Sequence, residues 1–435
     1  MQPQSQSPAQ AHAQSRCPIW SATRADTDPA DPHFYAGGDY MAAWRWARHN
    51  HPVAWTESAG FGGYWSVTTH REGAAVLKNT QAFTSTSGMR LGADPAGVAA
   101  AAGRMMVVAD GDAHRRLRAA HAPWFNGRTL SGLLPELTRR VDERVRELLD
   151  AGGEFDAVTE LTVGMPAWAL FGMMNVPAED WDQLAALAAA AFDDAGRGAS
   201  ASAARTLAHT QILGYFADQL DQRRAEPADD FVTGLAQAAP DGRPLTDDEV
   251  VLNCDGLVNG GLETTPHAAS GALLAFHQHP EQWQALKARP ELLDGAVEEI
   301  LRWASPPMHA MRTATADAEL GSAPVRRGDR VVVWIPSCNR DEQVFAQPDR
   351  FLVERSPNPH LSFGGGPHYC IGSVLARLEL RCLLGVLIHR VDAIEAVGEP
   401  GRVPSNFLHG LARLDVRLTP RRAGRGGRVG VGGGG

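Results

Sequence analysis

Lysine is almost missing from this 435-residue chain: Lys78 and Lys287 are the only two among 41 cationic residues, and the rest are arginine. Fifty acidic residues outweigh them, giving a formal net charge of -9. That balance argues against general nucleic-acid binding, because such domains carry a basic excess. Cysteine is scarce too. Cys17, Cys254, Cys338, Cys370 and Cys382 make an odd number without a Cys-x-x-Cys pair, so neither a disulfide framework nor a zinc knuckle is indicated. A reducing, cytoplasmic setting is expected. No run of 18 apolar residues occurs, and the first sixteen residues lack the apolar centre of a signal peptide. No membrane span is expected.

What is present suits a sizeable folded core: 44% of residues are hydrophobic and 21% charged, ordinary values for a globular protein. Residues 1–16 are low-complexity and residues 421–435 form an Arg/Gly tail too poor in apolar residues to pack, so both ends are expected to be disordered. One large domain is expected between them, over residues 17–420. Apolar residues recur at three and four through Leu133–Leu149, Asp180–Phe192, Thr206–Gln222 and Ile371–Ile388, which predicts helices. Val53–Trp55 and Tyr64–Val67 read as a hairpin around Gly60–Gly63, and Arg330–Ile335 and Ala412–Leu418 as further strands. The pattern predicts a mainly α fold with a small β region.

The run Phe363-Gly364-Gly365-Gly366-Pro367-His368-Tyr369-Cys370-Ile371-Gly372 presents one cysteine from a glycine-rich loop at the mouth of a predicted helix. Glycines let backbone pass close to a flat ligand, and helix amides favour thiolate over thiol. The string fits Phe-Gly-x-Gly-x-His-x-Cys-x-Gly at every fixed position and closely resembles the haem-binding loop of the cytochrome P450 family. The resemblance implies the P450 fold, with Cys370 as the thiolate ligand of haem b and Phe363 and Gly372 as part of the cofactor loop.

A second run, Gly260-Gly261-Leu262-Glu263-Thr264-Thr265-Pro266, lies in an apolar helix starting after Thr246. Two glycines and a proline in a helix interior predict a local opening. The run resembles the family's Ala-Gly-x-Asp/Glu-Thr signature, with Gly260 in place of Ala. It implies that Glu263 and Thr264 are the acid and alcohol that deliver protons during oxygen activation. The bland alternative is a threonine bonded back to a helix carbonyl. Glu299-Ile300-Leu301-Arg302 similarly matches the family's Glu-x-x-Arg motif, and resemblance places Arg350 as the third member of a buried structural network. His114, Arg118, Arg312 and His368 match positions that contact haem propionates in similar bacterial members. For the substrate pocket, resemblance points to Met89, Leu257, Met308, Met311, Phe407 and Leu408, with Arg90 and His309 as polar anchors.

The resemblance implies a monooxygenase that takes electrons from NAD(P)H through a ferredoxin and ferredoxin reductase, without a fused flavin domain and as a monomer. The expected task is oxidation of a specialised-metabolite scaffold by hydroxylation, epoxidation or oxidative ring closure or coupling, which the motifs do not separate. Arg115, Arg116, Arg377 and Arg381 are expected to form a basic face for an acidic ferredoxin. The rival readings are a haem-thiolate gas sensor, which needs Cys370 but not Glu263 and Thr264, and a catalytically silent partner protein.

Overall fold

The computed structural model describes residues 28–35, 40–192 and 199–421. Residues 1–16, Cys17 and residues 422–435 lie outside this set, and with them the disorder expected at the two ends, except at Arg421, whose N–H donates to the Arg390 carbonyl at 2.7 Å. The principal helices, in chain order, are α1 (Tyr40–Asn50), α2 (Gly111–His121), α3 (Leu134–Ala151), α4 (Gly164–Met174), α5 (Trp181–Ala191), α6 (Ala199–Ala225), α7 (Asp247–Leu262), α8 (Thr264–Gln278), α9 (Pro280–Ala288), α10 (Leu293–Ala304) and α11 (Ser373–Arg390). The four periodic segments correspond to α3, α5, α6 and α11. In α3, Leu137, Val141, Val145 and Leu148 are the buried residues, one stripe at helical spacing.

The strands that matter to the site are β1 (Val53–Ser58), β2 (Gly62–Val67), β3 (Phe83–Thr84), β4 (Phe155–Asp156), β5 (His309–Ala314), β6 (Arg330–Trp334), β7 (Val391–Ala396) and β8 (Asp415–Pro420). The first sheet has the order β1-β2-β6-β5-β3, and a second, smaller one has β4-β8-β7. The expected hairpin is present, with Ser58 facing Gly62. Gly62 has φ +70°, and a Cβ on Gly63 would meet the Trp55 ring at 2.1 Å, so the turn needs both glycines.

Two strand expectations change in detail. β6 stops at Trp334, because Ile335 opens a short helix with proline in its first turn. The run Ala412–Leu418 is broken at Leu414, whose N–H donates to the Asp156 carboxylate at 2.9 Å and whose carbonyl accepts from Ala157 at 2.8 Å. Both of its backbone groups are spent outside the ladder.

One core cluster joins α3, α8, α10 and α11 around Trp283 of α9, Phe276 and Phe351. The Phe276 ring lies 5.0 Å from Trp283 and 5.4 Å from Phe351, and burying each such ring contributes about 1.5–3 kcal/mol. A second cluster joins α2, α4, α6 and α7 and includes Leu375 of α11. The helix following Cys370 is therefore fixed by both clusters, and the α7–α8 pair runs from one to the other. No helix among the described residues is long and apolar enough to cross a membrane.

Candidate active site

The glycine loop adopts the turn its sequence predicts. Gly364 and Gly366 have φ of +70° and +65°, and a Cβ on Gly366 would come within 2.7 Å of the Leu77 carbonyl and Lys78 Cα. The Cys370 N–H donates to the Phe363 carbonyl at 2.9 Å, closing the loop just ahead of α11. The buried Phe363 ring lies under the Arg377 guanidinium, 4.6 Å away. Among the four described cysteines, only Cys370 is exposed, and none is in a disulfide.

The expected bias toward thiolate is only partly met. Crowding by the surrounding protein raises the Cys370 thiol above its ordinary value, although its surface is accessible. The amides of Gly372 and Ser373 and the charges of Arg118 and Arg377 pull the other way. The protein-derived electrostatics oppose desolvation without overcoming it.

α7 starts at a capping box: Thr246 Oγ1 accepts from Glu249 N at 3.3 Å, and Glu249 Oε2 accepts from Thr246 N at 2.9 Å. It ends at Leu262. Glu263 stands between the helices with φ -92° and ψ -30°, and α8 begins at Thr264. Pro266 has no N–H to return to Leu262, so the ladder is interrupted where the sequence predicts an opening. Gly261 allows close approach to α4, since a Cβ there would sit 3.0 Å from Leu170.

The Thr264 hydroxyl donates to the Gly260 carbonyl at 3.1 Å. This is the back-bond of the bland alternative, but it leaves the hydroxyl oxygen able to accept. Desolvation alone pushes the Glu263 carboxyl up to about 7. An acid so placed exchanges its proton near neutrality.

Of the four residues expected at the propionates, two are in ring contact, Arg118 acts electrostatically on His114, and Arg312 feels the Asp110 charge. The His114 and His368 rings are 4.2 Å apart, and Arg118 lies one turn beyond His114 on α2. Arg312 is buried, as is His114. Two of their nitrogens, His114 Nε2 and Arg312 Nε, have no hydrogen-bond partner among the described residues, and burial holds the Arg312 guanidinium below its ordinary range. Buried, unsatisfied donors of this kind suit incoming carboxylates. Together with the open cysteine, this donor set fits a haem and its two propionates.

Asp110 was not anticipated. It precedes α2 and accepts from His368 Nε2 at 2.8 Å, Thr84 Oγ1 at 2.6 Å and Ser85 N at 2.9 Å. These bonds hold its carboxyl down at about 2 against desolvation, the largest single influence. They also fix the orientation of the His368 ring through Nε2. Its place four residues before His114 was the available signal.

The structural network needs one correction. Glu299 and Arg302 are fully buried and paired through two 2.8 Å bonds, as expected. The third guanidinium is that of Arg355, whose Nε lies 2.9 Å from Glu299 Oε2. Arg350 turns its side chain to Gln347 and contributes only its carbonyl, which accepts from Arg302 and Arg355.

Several pocket expectations change as well. His309 is buried with both ring nitrogens engaged: Nε2 accepts from Leu91 N at 2.9 Å, and Nδ1 meets the Asn406 carbonyl at 2.8 Å. It is a spacer, held neutral by burial with its proton affinity down at about 4. Met308 and Met311 belong to an aromatic core cluster with Trp44 and Trp334, and Leu408 is buried in a bridge with Pro307. The Met89 carbonyl accepts from Met311 N at 2.7 Å, while Leu257 is half-buried against the second core cluster. Arg90 and Phe407 do meet. The guanidinium lies 5.1 and 5.4 Å from the Phe192 and Phe407 rings, which stack 5.7 Å apart.

The proposed basic face is neutralised. Arg115 pairs with Asp112, Arg116 with Glu249, Arg377 with Glu298 and Arg381 with Asp294. Asp112 is local to Arg115 on α2, whereas Glu249, Glu298 and Asp294 are brought by other helices, which clustering of cations in the sequence does not reveal.

Comparison with known proteins agrees with this geometry. The family profile described as Cytochrome P450 matches residues 199–403. Cytochrome P450 NovI of Streptomyces niveus is 35% identical over 395 residues, covering 90% of this chain and 96% of NovI. Linalool 8-monooxygenase of Pseudomonas putida is 33% identical, covering 86% and 94%. The crystal structure of P450 OxyD superposes with a TM-score of 0.81 at 37% identity, covering 91% of this chain and all of that one. Mycobacterium marinum CYP268A2, solved with pseudoionone, gives 0.84 at 30% identity, covering 92% and 99%. At this identity, coverage and likeness of overall fold, the chain belongs to the cytochrome P450 family and is a haem-thiolate monooxygenase.

Proposed function

We propose that this monooxygenase oxidises a small, largely apolar molecule in specialised-metabolite biosynthesis, with Cys370 Sγ holding haem b and NAD(P)H electrons arriving through a ferredoxin and its reductase. The observation that carries the reading is the exposed, disulfide-free Cys370 on a loop closed by its own amide, in the same site as the unsatisfied His114 and Arg312 nitrogens. P450 OxyD is involved in the biosynthesis of vancomycin-type antibiotics, which supports a specialised-metabolite substrate. The relatives named for linalool and steroid oxidation support an apolar one.

Bound haem supplies the reductive activation of dioxygen. His114, Arg118, Arg312 and His368 would hold its propionates. Asp110 fixes the His368 ring, and Arg90 caps an aromatic wall of Phe192 and Phe407 on the substrate side. Glu263, on the non-helical residue between α7 and α8, takes up a proton near neutral pH and passes it toward Thr264. The Thr264 oxygen accepts from the water that carries it, while the hydroxyl proton rests on Gly260. Hydroxylation, epoxidation and ring closure all place these same demands on the chain.

The test is reduction of the purified protein under carbon monoxide, followed by turnover with a ferredoxin, its reductase and NAD(P)H. A thiolate-type Soret band and an oxygenated product from a compound that shifts the ferric spin state support the proposal. A histidine-type band overturns the ligand assignment, and NADPH-independent product formation overturns the electron route.

A further inference from the structure

Along α7 and the residue that follows it, Asp255, Asn259 and Glu263 recur at intervals of four, one above another on a single face. Asp255 and Asn259 are buried. The Asn259 amide is fixed at its nitrogen end, where Nδ2 donates to Asp255 Oδ1 at 2.7 Å and to the Asp255 carbonyl at 2.9 Å. Reversing the amide would set its oxygen against both acceptors, so the network dictates the orientation. Asp255 is braced by partly exposed His209 of α6, whose Nδ1 lies 3.2 Å from the same carboxylate oxygen.

The other end of the amide is unmet. Asn259 Oδ1 is buried with no hydrogen-bond partner among the described residues, a costly condition for a polar atom. One turn further on, the Glu263 side chain has no hydrogen-bond partner among the described residues. Side chains at this spacing are neighbours, with Cβ atoms about 5–6 Å apart, within reach of a glutamate rotamer change. The two groups are the acceptor and the donor of one unmade hydrogen bond.

We infer that Asn259 is a positioning residue for Glu263: held by Asp255, it offers its carbonyl oxygen to the Glu263 carboxylic O–H and so parks the proton-bearing acid on the upstream side of the helix break. Release from Asn259 turns the acid toward Thr264. The step moves one proton with its carrier and needs no other reactant. No charged side chain perturbs Glu263, whose raised proton affinity has burial as its one cause; His209 and Asp255 are the ionisable groups acting on the Asn259 end. The inference rests on the reading of Glu263 as the proton-delivering acid, but its test does not.

The experiment is infrared difference titration of the ferric protein, which reads the carbonyl stretch of a protonated carboxylic acid independently of turnover. The band lost in Glu263→Gln is that of Glu263. In Asn259→Leu it should move to higher frequency, and its titration midpoint should fall by about one pH unit, the worth of one hydrogen bond to the neutral acid. A merely space-filling Asn259 predicts the opposite sign, because leucine makes the surroundings more apolar and raises the midpoint. An unmoved or raised midpoint overturns the inference, as does the absence of any band lost in Glu263→Gln. Should the leucine variant fail to fold, Asn259→Ala is read by band frequency, and an unchanged band there overturns it too. A shifted band together with full coupling in Glu263→Gln keeps the positioning role and removes the proton-delivery reading.

Discussion

Arg355 donates its Nε–H to Glu299 Oε2 at 2.9 Å, the oxygen that also receives Arg302 Nε at 2.8 Å. Glu299 thus has two guanidinium partners, with the Leu352 N–H on its other oxygen at 2.8 Å. All three side chains are almost fully withdrawn from solvent, so the charges depend on one another.

Loss of any one member should be costly. Glu299→Ala or Arg302→Ala leaves an uncompensated buried charge, an expected loss of about 3–5 kcal/mol, and Arg355→Ala should approach that value. Arg350→Ala should stay within about 0.5 kcal/mol, because its exposed side chain bonds to Gln347 rather than to Glu299. Urea denaturation with haem content measured in parallel checks the order. Equal losses at 350 and 355 would contradict it.

Cys370→His should convert the reduced, carbon monoxide-bound spectrum from thiolate type to histidine type or abolish haem retention. Cys254, Cys338 and Cys382 are buried, so replacing Cys382 by Ala should leave the spectrum unchanged. A thiolate-type band surviving Cys370→His would assign the ligand elsewhere.

The site's local pieces were readable because each is written in contiguous residues: the glycine loop, the Thr246 cap, the Gly-Gly-x-Glu-Thr interruption and the Glu299–Arg302 pair. What depends on folding was not. Arg350 and Arg355 lie in one segment, and only the path of that segment decides which guanidinium reaches Glu299. His309 has the sequence look of an anchor, yet the chain brings Leu91 N and the Asn406 carbonyl to its two nitrogens. The paired arginines fail for the same reason, since Glu249 and Asp294 come from other helices. Asn259 did carry a local signal, a polar residue in an apolar helix four positions before Glu263.

Glu379 gives a pH prediction. It is buried on α11 with one carboxyl oxygen lacking a partner, and desolvation pushes it up to about 8, opposed by a hydrogen bond with Thr265. The unfolded acid loses its proton near the ordinary value, so between about pH 4.5 and 8 the native state binds more protons and stability falls as pH rises. The steepest slope is about 1.4 kcal/mol per pH unit. Glu379→Gln should remove this contribution, gaining on wild type steadily from pH 5 to pH 8 and matching its slope below pH 4. Parallel stability curves throughout would mean that Glu379 ionises normally in the fold.

Thr264 and Glu263 should separate electron use from product formation. Thr264→Ala removes the hydroxyl now resting on Gly260 but leaves the helix break, which is set by Pro266 and Glu263, so substrate binding and reduction should be nearly unchanged. Product per NAD(P)H should fall several-fold, with the missing equivalents recovered as hydrogen peroxide, and Thr264→Ser should be milder because it restores an acceptor at the same atom. Glu263→Gln keeps size and burial but cannot exchange a proton near pH 7, so turnover should slow with a larger solvent isotope effect and should lose the pH dependence centred near 7. Steady-state product and peroxide assays from pH 6 to pH 8.5 make the comparison. Full coupling in Thr264→Ala with the native substrate would shift proton delivery to the substrate or to another water path, and the Thr264–Gly260 bond would then be only a helix back-bond.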